Sequence, residues 1–290
     1  MRIYFLATTT GSRPDLFEDL VASFNRLAVP PGVSAGLLVL DQAQASHDAI
    51  FSRHPAAAGR TITRIVSPTL IGLSLARNRL LQLLTGDGYV VFCDDDATYP
   101  EDFLACLQAE FARAGEVDIG VFRLMNKEGG GTYGNRRYPA AARRLKRGEL
   151  INLAISLNLV IRLACIRRAG GFNEELGVGS KGMCGEETEL VLKAIDCGAS
   201  AAYFCSPVAC HPSQGLAATA PRKLYDYSRG YRNMLLSYQG SAGLRLLVRW
   251  HLAVAIARSM VALVIQGERS NRLIKLKGLA GFPDAGTRHG

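Results

Sequence analysis

Over the first 120 residues, short apolar runs alternate with stretches of helical periodicity, and this alternation restricts the fold more than any other feature of the chain. The runs predict strands over 2–8, 34–41, 61–66, 88–93 and 117–123. The stretches between them predict helices over 14–27, 73–85 and 101–114, with Pro14 suited to a first helical turn. Strand and helix in turn imply an α/β fold, a mostly parallel sheet covered by helices on both faces. A length of 290 residues allows one large domain of that kind or two small ones. Ligands of such sheets sit at the carboxyl ends of the strands. Thr8-Thr9-Thr10, Asp41 and Asp94-Asp95-Asp96 all fall at expected strand ends, so they should meet on one rim.

The acidic triplet follows the apolar run Tyr89-Val90-Val91-Phe92-Cys93 directly. In extended chain alternate side chains share a face, so Asp94 and Asp96 should point one way and Asp95 the other. Like charges this close raise one another's pKa unless something positive compensates them. A hard divalent cation, Mn²⁺ or Mg²⁺, carrying phosphate oxygens would do so. A solvated acidic turn ahead of the helix near Pro100 is the plainer alternative, with Glu101 and Asp102 favouring that helix's N-terminus.

Beyond residue 126 the chain passes through a glycine-rich and then arginine-rich loop, Gly129-Gly130-Gly131 to Lys146-Arg147. Structure resumes over 150–161, turns at Gly170-Gly171-Phe172, and continues in a helix over about 186–197 and a strand near 200–206 followed by His211. The seven cysteines are scattered, odd in number and without CxxC spacing, which predicts reduced thiols and a cytoplasmic setting. The apolar start at Ile3–Ala7 is too short for a signal peptide. Charge is uneven: residues 1–221 are neutral overall, and the entire excess of +9 lies in 222–290. This divides the chain into an α/β unit, 1–221, and a basic helical extension, 222–290, with helices over 222–239 and 244–266. Arg249 and Arg258 interrupt the second helix, so it is read as lying on a membrane surface with Trp250 at headgroup level rather than spanning it. Packing on the α/β unit, or on a second copy in a homodimer, is the alternative. Nucleic acid is not expected as a partner, because the charges interleave with an aliphatic stripe instead of stacking aromatics.

Four segments resemble, in order and rough spacing, the family-2 glycosyltransferases of GT-A fold. They are Gly72-Leu73-Ser74-Leu75-Ala76-Arg77-Asn78, Phe92-Cys93-Asp94-Asp95-Asp96, Gly170-Gly171-Phe172-Asn173-Glu174 and Gly185-Glu186-Glu187-Thr188-Glu189-Leu190. Tyr231-Arg232-Asn233 and Lys277-Gly278-Leu279-Ala280-Gly281 are similar to the family's tail. The resemblance implies an inverting, metal-dependent transfer of a hexose or deoxyhexose from a nucleotide diphosphate sugar, with a UDP-sugar favoured. The acceptor would be a hydroxyl of a lipid-linked or growing polysaccharide at the inner face of the cell membrane.

It further implies roles for single residues. Asp41 would accept from the nucleobase, with Thr8 and Thr9 lining the base pocket. Arg77 would contact the nucleotide or hold the acidic loop. Asp94 would meet ribose or metal and Asp95 orient the donor sugar or the loop, while Asp96 and His211 bind the cation. Glu187 would be the general base, with Glu186 sharing the role. The family usually carries Asp where this chain has Glu187, one methylene longer. A helix first turn should lower the pKa of Glu186 and Glu187. The basic residues 136–147 would meet the acceptor's lipid phosphate or form a solvated lid. Two rival classes are a metal-dependent nucleotidyl- or phosphoryltransferase and a non-catalytic scaffold of glycosyltransferase shape.

Overall fold

The computed structural model describes residues 1–43, 47–213, 220–265 and 269–283. The amino-terminal strands are β1 (Arg2–Thr9), β2 (Ser34–Asp41), β3 (Arg60–Val66), β4 (Tyr89–Cys93) and β5 (Ile119–Asn126). They alternate with α1 (Pro14–Arg26), α2 (Asp48–Arg53), α3 (Leu73–Gln82) and α4 (Phe103–Ala114). Then come β6 (Arg143–Arg144), α5 (Arg147–Leu153), β7 (Leu159–Arg162), α6 (Leu163–Arg168), α7 (Glu186–Asp196) and β8 (Ala201–His211). Helices α8 (Pro221–Ser237), α9 (Ala242–Ile265) and α10 (Arg269–Ala280) close the described chain. Each expected strand is present within a few residues of its predicted bounds. Short α2, β6 and α6 went unread, because two to six residues carry too little periodicity to register, and the run expected over 150–161 divides between α5 and β7. Residue 266, the expected end of the long helix, lies outside the described residues.

The eight strands run β3-β2-β1-β4-β7-β5-β8-β6. β1 pairs in parallel with β2 and β4, and β2 with β3. β7 is antiparallel to both β4 and β5, while β5 and β8 are parallel. Two reversals restore direction, so β5 and β8 point the same way as β4. The carboxyl ends of β1, β2, β4, β5 and β8 therefore share one rim, although a reversed strand lies among them.

Alternation along each strand feeds two cores. Ile3, Phe5 and Ala7 of β1 and Val91 and Cys93 of β4 pack with Phe17, Phe24, Phe103 and Leu107 of α1 and α4. Leu6, Val90 and Phe92 face the opposite side, with Ala76 and Leu80 of α3 and Leu190 and Val191 of α7. Met234 and Leu235 of α8, Leu244, Val248 and Leu252 of α9, and Leu279 of α10 belong to this second cluster. The carboxyl-terminal helices thus share a core with the sheet. Tight crossings make this packing feasible. A Cβ at Gly278 would stand 2.7 Å from Ser228 Cβ and 2.9 Å from the Tyr225 carbonyl oxygen, and one at Gly230 would press into the Gly182 carbonyl.

β8 carries an irregularity that matters for the site. Its register with β5 shifts between Val121↔Tyr203 and Arg123↔Val208, leaving extra residues on β8. Buried Glu110 of α4 accepts the backbone N–H groups freed there, Cys205 at 2.9 Å and Ser206 at 3.1 Å, and pairs with Arg113. Beyond the bulge the ladder resumes and ends at Asn126↔His211.

Candidate active site

A cleft of about 570 Å³ opens at this rim, lined among others by Thr8, Arg13, Gln42, Asp94, Asp95, Asp96, Tyr133, His211, Lys223 and Tyr227. The acidic triplet leaves β4 and is tied at once to β8, since Thr98 and Cys210 exchange both backbone hydrogen bonds, at 2.9 and 2.8 Å. That tie carries His211 to Asp96, Nε2 to Oδ1 at 2.9 Å. Side chains of Asp94, Asp96 and His211 each offer a ligand atom, all within 4.8 Å of one another. Asp95 turns the other way and accepts from Thr9 Oγ1 at 3.2 Å. The chain turns at Asp95 and Asp96, however, and Arg13 reaches both of them, so the strict alternation expected for extended chain does not hold here.

The donor set suits a divalent cation. His211 Nδ1 lies 2.8 Å from the Pro212 carbonyl, which holds a proton on that nitrogen and turns the Nε2 lone pair toward the carboxylates. Asp96 Oδ1 is buried without a hydrogen-bond partner, so a lone pair faces a lone pair across the gap. A proton or a cation between them relieves that opposition, and two carboxylates with one imidazole fit Mn²⁺ or Mg²⁺. Burial raises Asp94 and Asp95 against the pull of Arg77 and Arg13 respectively. For Asp96 burial acts upward too, but His211 outweighs it and lowers the carboxyl, while the same pairing lifts His211.

Arg77 connects the two acidic segments. It is 1% exposed, lies against the rings of Phe92 and Phe172, and donates to Glu186 Oε1 at 3.0 Å and Asp94 Oδ1 at 3.5 Å. Its place in α3 follows from Ser74, whose hydroxyl bonds the Leu176 carbonyl at 2.7 Å, and from Asn78, which bonds both backbone groups of Phe172. The Gly72–Asn78 and Gly170–Glu174 segments are therefore two halves of one joint. Buried as it is, Arg77 braces the acids instead of lining the cleft.

Glu187 stands partly exposed in the first turn of α7, beside buried Glu186. The helix terminus was expected to lower its pKa. Instead burial and the neighbouring Glu186 charge push the carboxyl well above the glutamate range, and Arg77 pulls it back only in part. Tyr227, on the cleft wall, senses the charges of Glu186, Asp94 and Glu187 together.

The predicted nucleobase residues divide. Thr8 lines the cleft, Thr9 lies 1% exposed beneath Asp95, and Asp41 is not among the lining residues. Its carboxylate already accepts from Ala43 N–H at 3.0 Å, His47 at 3.1 Å and Arg64 at 2.9 Å. Gln42, the next residue, lines the cleft in its place and accepts from the Ile71 N–H at 2.7 Å. Sequence reasoning also missed Arg13, whose guanidinium bridges Asp95 and Asp96, and Lys223 and Tyr227 from α8. Arg13 sits just after β1 and before Pro14, and that rim position was its only sequence signal.

Glu186 and Glu187 are not among the residues lining the cleft, and Arg77 ties their turn to it. A sheet of this order, with clustered acids at the end of its fourth strand, defines the GT-A class of fold. Residues 41–169 match glycosyl transferase family 2. Over that segment in sequence, and over nearly the whole chain in fold, it is similar to the family-2 glycosyltransferases. None of the curated proteins matches the sequence. Among solved structures, S. aureus TarS 1–349 in complex with UDP-GlcNAc superposes with a TM-score of 0.66 at 16% identity, over 97% of this chain and 80% of that one. The longer S. aureus TarS structure gives 0.62 at 15% identity, and this chain spans only 46% of its length. The mannosyltransferase PcManGT from Pyrobaculum calidifontis, in complex with GDP-Man and Mn²⁺, gives 0.58 at 15% identity over 94% of this chain and 78% of that one. At these identities the likeness is one of fold.

Proposed function

We propose that this protein transfers a sugar, with inversion, from a nucleotide diphosphate donor to a hydroxyl of a lipid-linked or growing glycan. One observation carries the reading: Asp94, Asp96 and His211 converge on a cleft of nucleotide-sugar size and are joined through Arg77 to Glu186, beside Glu187. Asp94, Asp96 and His211 would hold Mn²⁺ or Mg²⁺, which supplies Lewis-acid stabilisation of the leaving diphosphate. Arg13 and Lys223 are the cations lining the cleft and would face the donor's phosphates. Thr8 and Gln42 line the wall next to them, where the base would sit.

Glu187 takes the proton of the acceptor hydroxyl as that oxygen attacks the anomeric carbon. The bond to the diphosphate breaks on the opposite face and its electron pair leaves with the phosphate oxygen. A carboxyl raised toward neutral pH is better matched to this task than an ordinary glutamate. Glu186, paired with Arg77 at 3.0 Å, sets a second carboxylate beside it.

A UDP-sugar is favoured as donor, in line with the UDP-GlcNAc complex of TarS, while PcManGT with GDP-Man keeps guanine in view. A hexose or deoxyhexose would be the sugar moved. For the acceptor, α9 supports a membrane setting. Ala242–Leu263 is long and apolar enough to cross a bilayer by length and composition, with mean hydropathy 1.5 and only 11% of its apolar window buried. Leu244, Val248 and Leu252 nevertheless fasten one face of α9 to the core, so the helix would lie on the cytoplasmic face of the membrane with its other side in the lipid. Incubating the protein with a panel of nucleotide sugars and Mn²⁺ or Mg²⁺ tests the reading. Donor hydrolysis that needs the metal and releases free sugar is expected. Release of nucleotide monophosphate with sugar phosphate, or no turnover of any donor, would overturn it.

A further inference from the structure

A second cavity, of about 360 Å³, lies between α5, α9 and α10 and shares no lining residue with the cleft. Its polar lining is Asn152, His251, Arg258, Ser259, Arg272 and Lys275, with no carboxylate among the described residues. Arg272 Nε is buried and has no hydrogen-bond partner. Lys275 is exposed along its length, yet burial of its ammonium and the nearby Arg272 and Arg136 hold its pKa below the usual lysine value. Arg136 reaches the rim as well, donating to the Asn152 carbonyl at 3.0 Å. Cations gathered this way repel one another, and an anion placed among them removes that cost. Arginine forks at such a site suit phosphate oxygens.

The outer face of α9 narrows the choice of anion. Leu246, Trp250, Ala253, Ala257, Met260 and Val261 follow one another at helical spacing, all exposed, with Leu246 71% and Trp250 68% accessible. A soluble phosphate compound would have no use for an apolar stripe beside its site, whereas an amphiphile needs both. We propose that the cavity between α5, α9 and α10 binds the phosphate of a lipid whose hydrocarbon chain lies along the Leu246–Val261 stripe. The site is also close to the chemistry. His251 Nε2 lies 3.2 Å from the Tyr231 hydroxyl, and Tyr231 senses the charge of Glu187. This deepens the reading of a lipid-linked acceptor and rests on it for the identity of that lipid.

Trp250 is the only tryptophan, so its emission reports lipid contact directly. The full-length chain is titrated with phosphatidylcholine vesicles, alone and with either phosphatidylglycerol or a polyprenyl phosphate added. Arg272→Gln is compared with Arg249→Gln, a control on the exposed side of α9. A single charge near a membrane surface changes binding by about fivefold, the loss expected for Arg249→Gln. Arg272→Gln should lose about thirtyfold or more, beyond what one surface charge supplies. Loss confined to polyprenyl phosphate names the acceptor as the lipid; loss with phosphatidylglycerol too names lipid phosphate in general; both support the site. Equal losses in the two variants, or binding to the zwitterionic phosphatidylcholine vesicles as tight as to those with anionic phosphate lipid, would overturn it. Inorganic pyrophosphate, added with the cleft already saturated by UDP and Mn²⁺, should raise the melting temperature of wild type further and that of Arg272→Gln no further, a reading independent of vesicles. Metal-dependent donor hydrolysis is measured on the same samples and should be unchanged in Arg272→Gln. Its absence from wild type would sink the transferase reading while leaving the lipid test intact.

Discussion

At the scale of single residues, the site turns on where each charge finds its partner. Asp96 and His211 face each other with no other hydrogen-bond partner for Asp96 Oδ1, so Asp96→Ala should lower kcat by on the order of 10²–10³ and weaken metal-dependent donor binding, read by calorimetry with UDP and Mn²⁺. Glu187→Gln keeps shape and removes the proposed base. Turnover should fall on the order of 10²–10⁴ with donor affinity kept, which steady-state kinetics separates from a binding loss. The raised Glu187 pKa has opposite consequences for activity and stability. Turnover should rise with pH along a limb lying well above the ordinary glutamate range, and Glu186→Gln should bring that limb down, because the Glu186 charge helps raise it. The folded chain holds a proton here that the unfolded chain has released. Its contribution to stability is therefore complete below the ordinary glutamate pKa and is lost as pH climbs through the raised value, visible as a falling denaturant midpoint. The acidic triplet, His211 and Glu187 were legible because each lies at a strand end or helix start. Arg77 was expected to contact the nucleotide or hold the acidic loop; that it also reaches Glu186, 109 residues away, was not legible.

At the scale of elements, the site depends on registers and crossings that leave little trace in sequence. The β8 bulge sets how far the strand runs before His211 reaches the rim, and Glu110 holds that bulge from α4. Glu110→Ala strands two backbone donors, at about 1–3 kcal/mol each. The melting temperature should drop, and donor-site metal affinity should drop with it as His211 loses its position. Substituting a surface acid such as Glu116 should move neither. Strands β1 to β5 were readable because four to eight apolar residues bounded by turns carry a period of two. β7 was not readable as a reversed strand, since direction is a property of its neighbours β4 and β5 rather than of Leu159–Arg162.

At the scale of the whole molecule, the basic extension is built into the catalytic body. α8 supplies Lys223 and Tyr227 to the cleft, and α9 and α10 bury Leu244, Val248, Leu252 and Leu279 in the core shared with α3 and α7. Urea unfolding should therefore show one cooperative transition, and a chain truncated after Gly240 should be insoluble or molten rather than an active domain. Gly278→Ala would force α10 away from α8 at about 1–3 kcal/mol and should lower stability in that same transition.

The sequence by itself determined the alternation that makes the sheet, the placing of acids and threonines at strand ends, the paired glycines of the joint and the concentration of basic charge near the carboxyl terminus. These are local, written in the spacing of apolar residues and in backbone positions that few residue types tolerate. Only the tertiary structure decided that Asp41 turns to His47 and Arg64 while Gln42 takes the wall, that Arg13 enters the acidic cluster, and that burial beside Glu186 overrides the helix terminus at Glu187. Each of those outcomes depends on which charges and how little water surround a group once distant segments have packed, and no stretch of neighbouring residues encodes that.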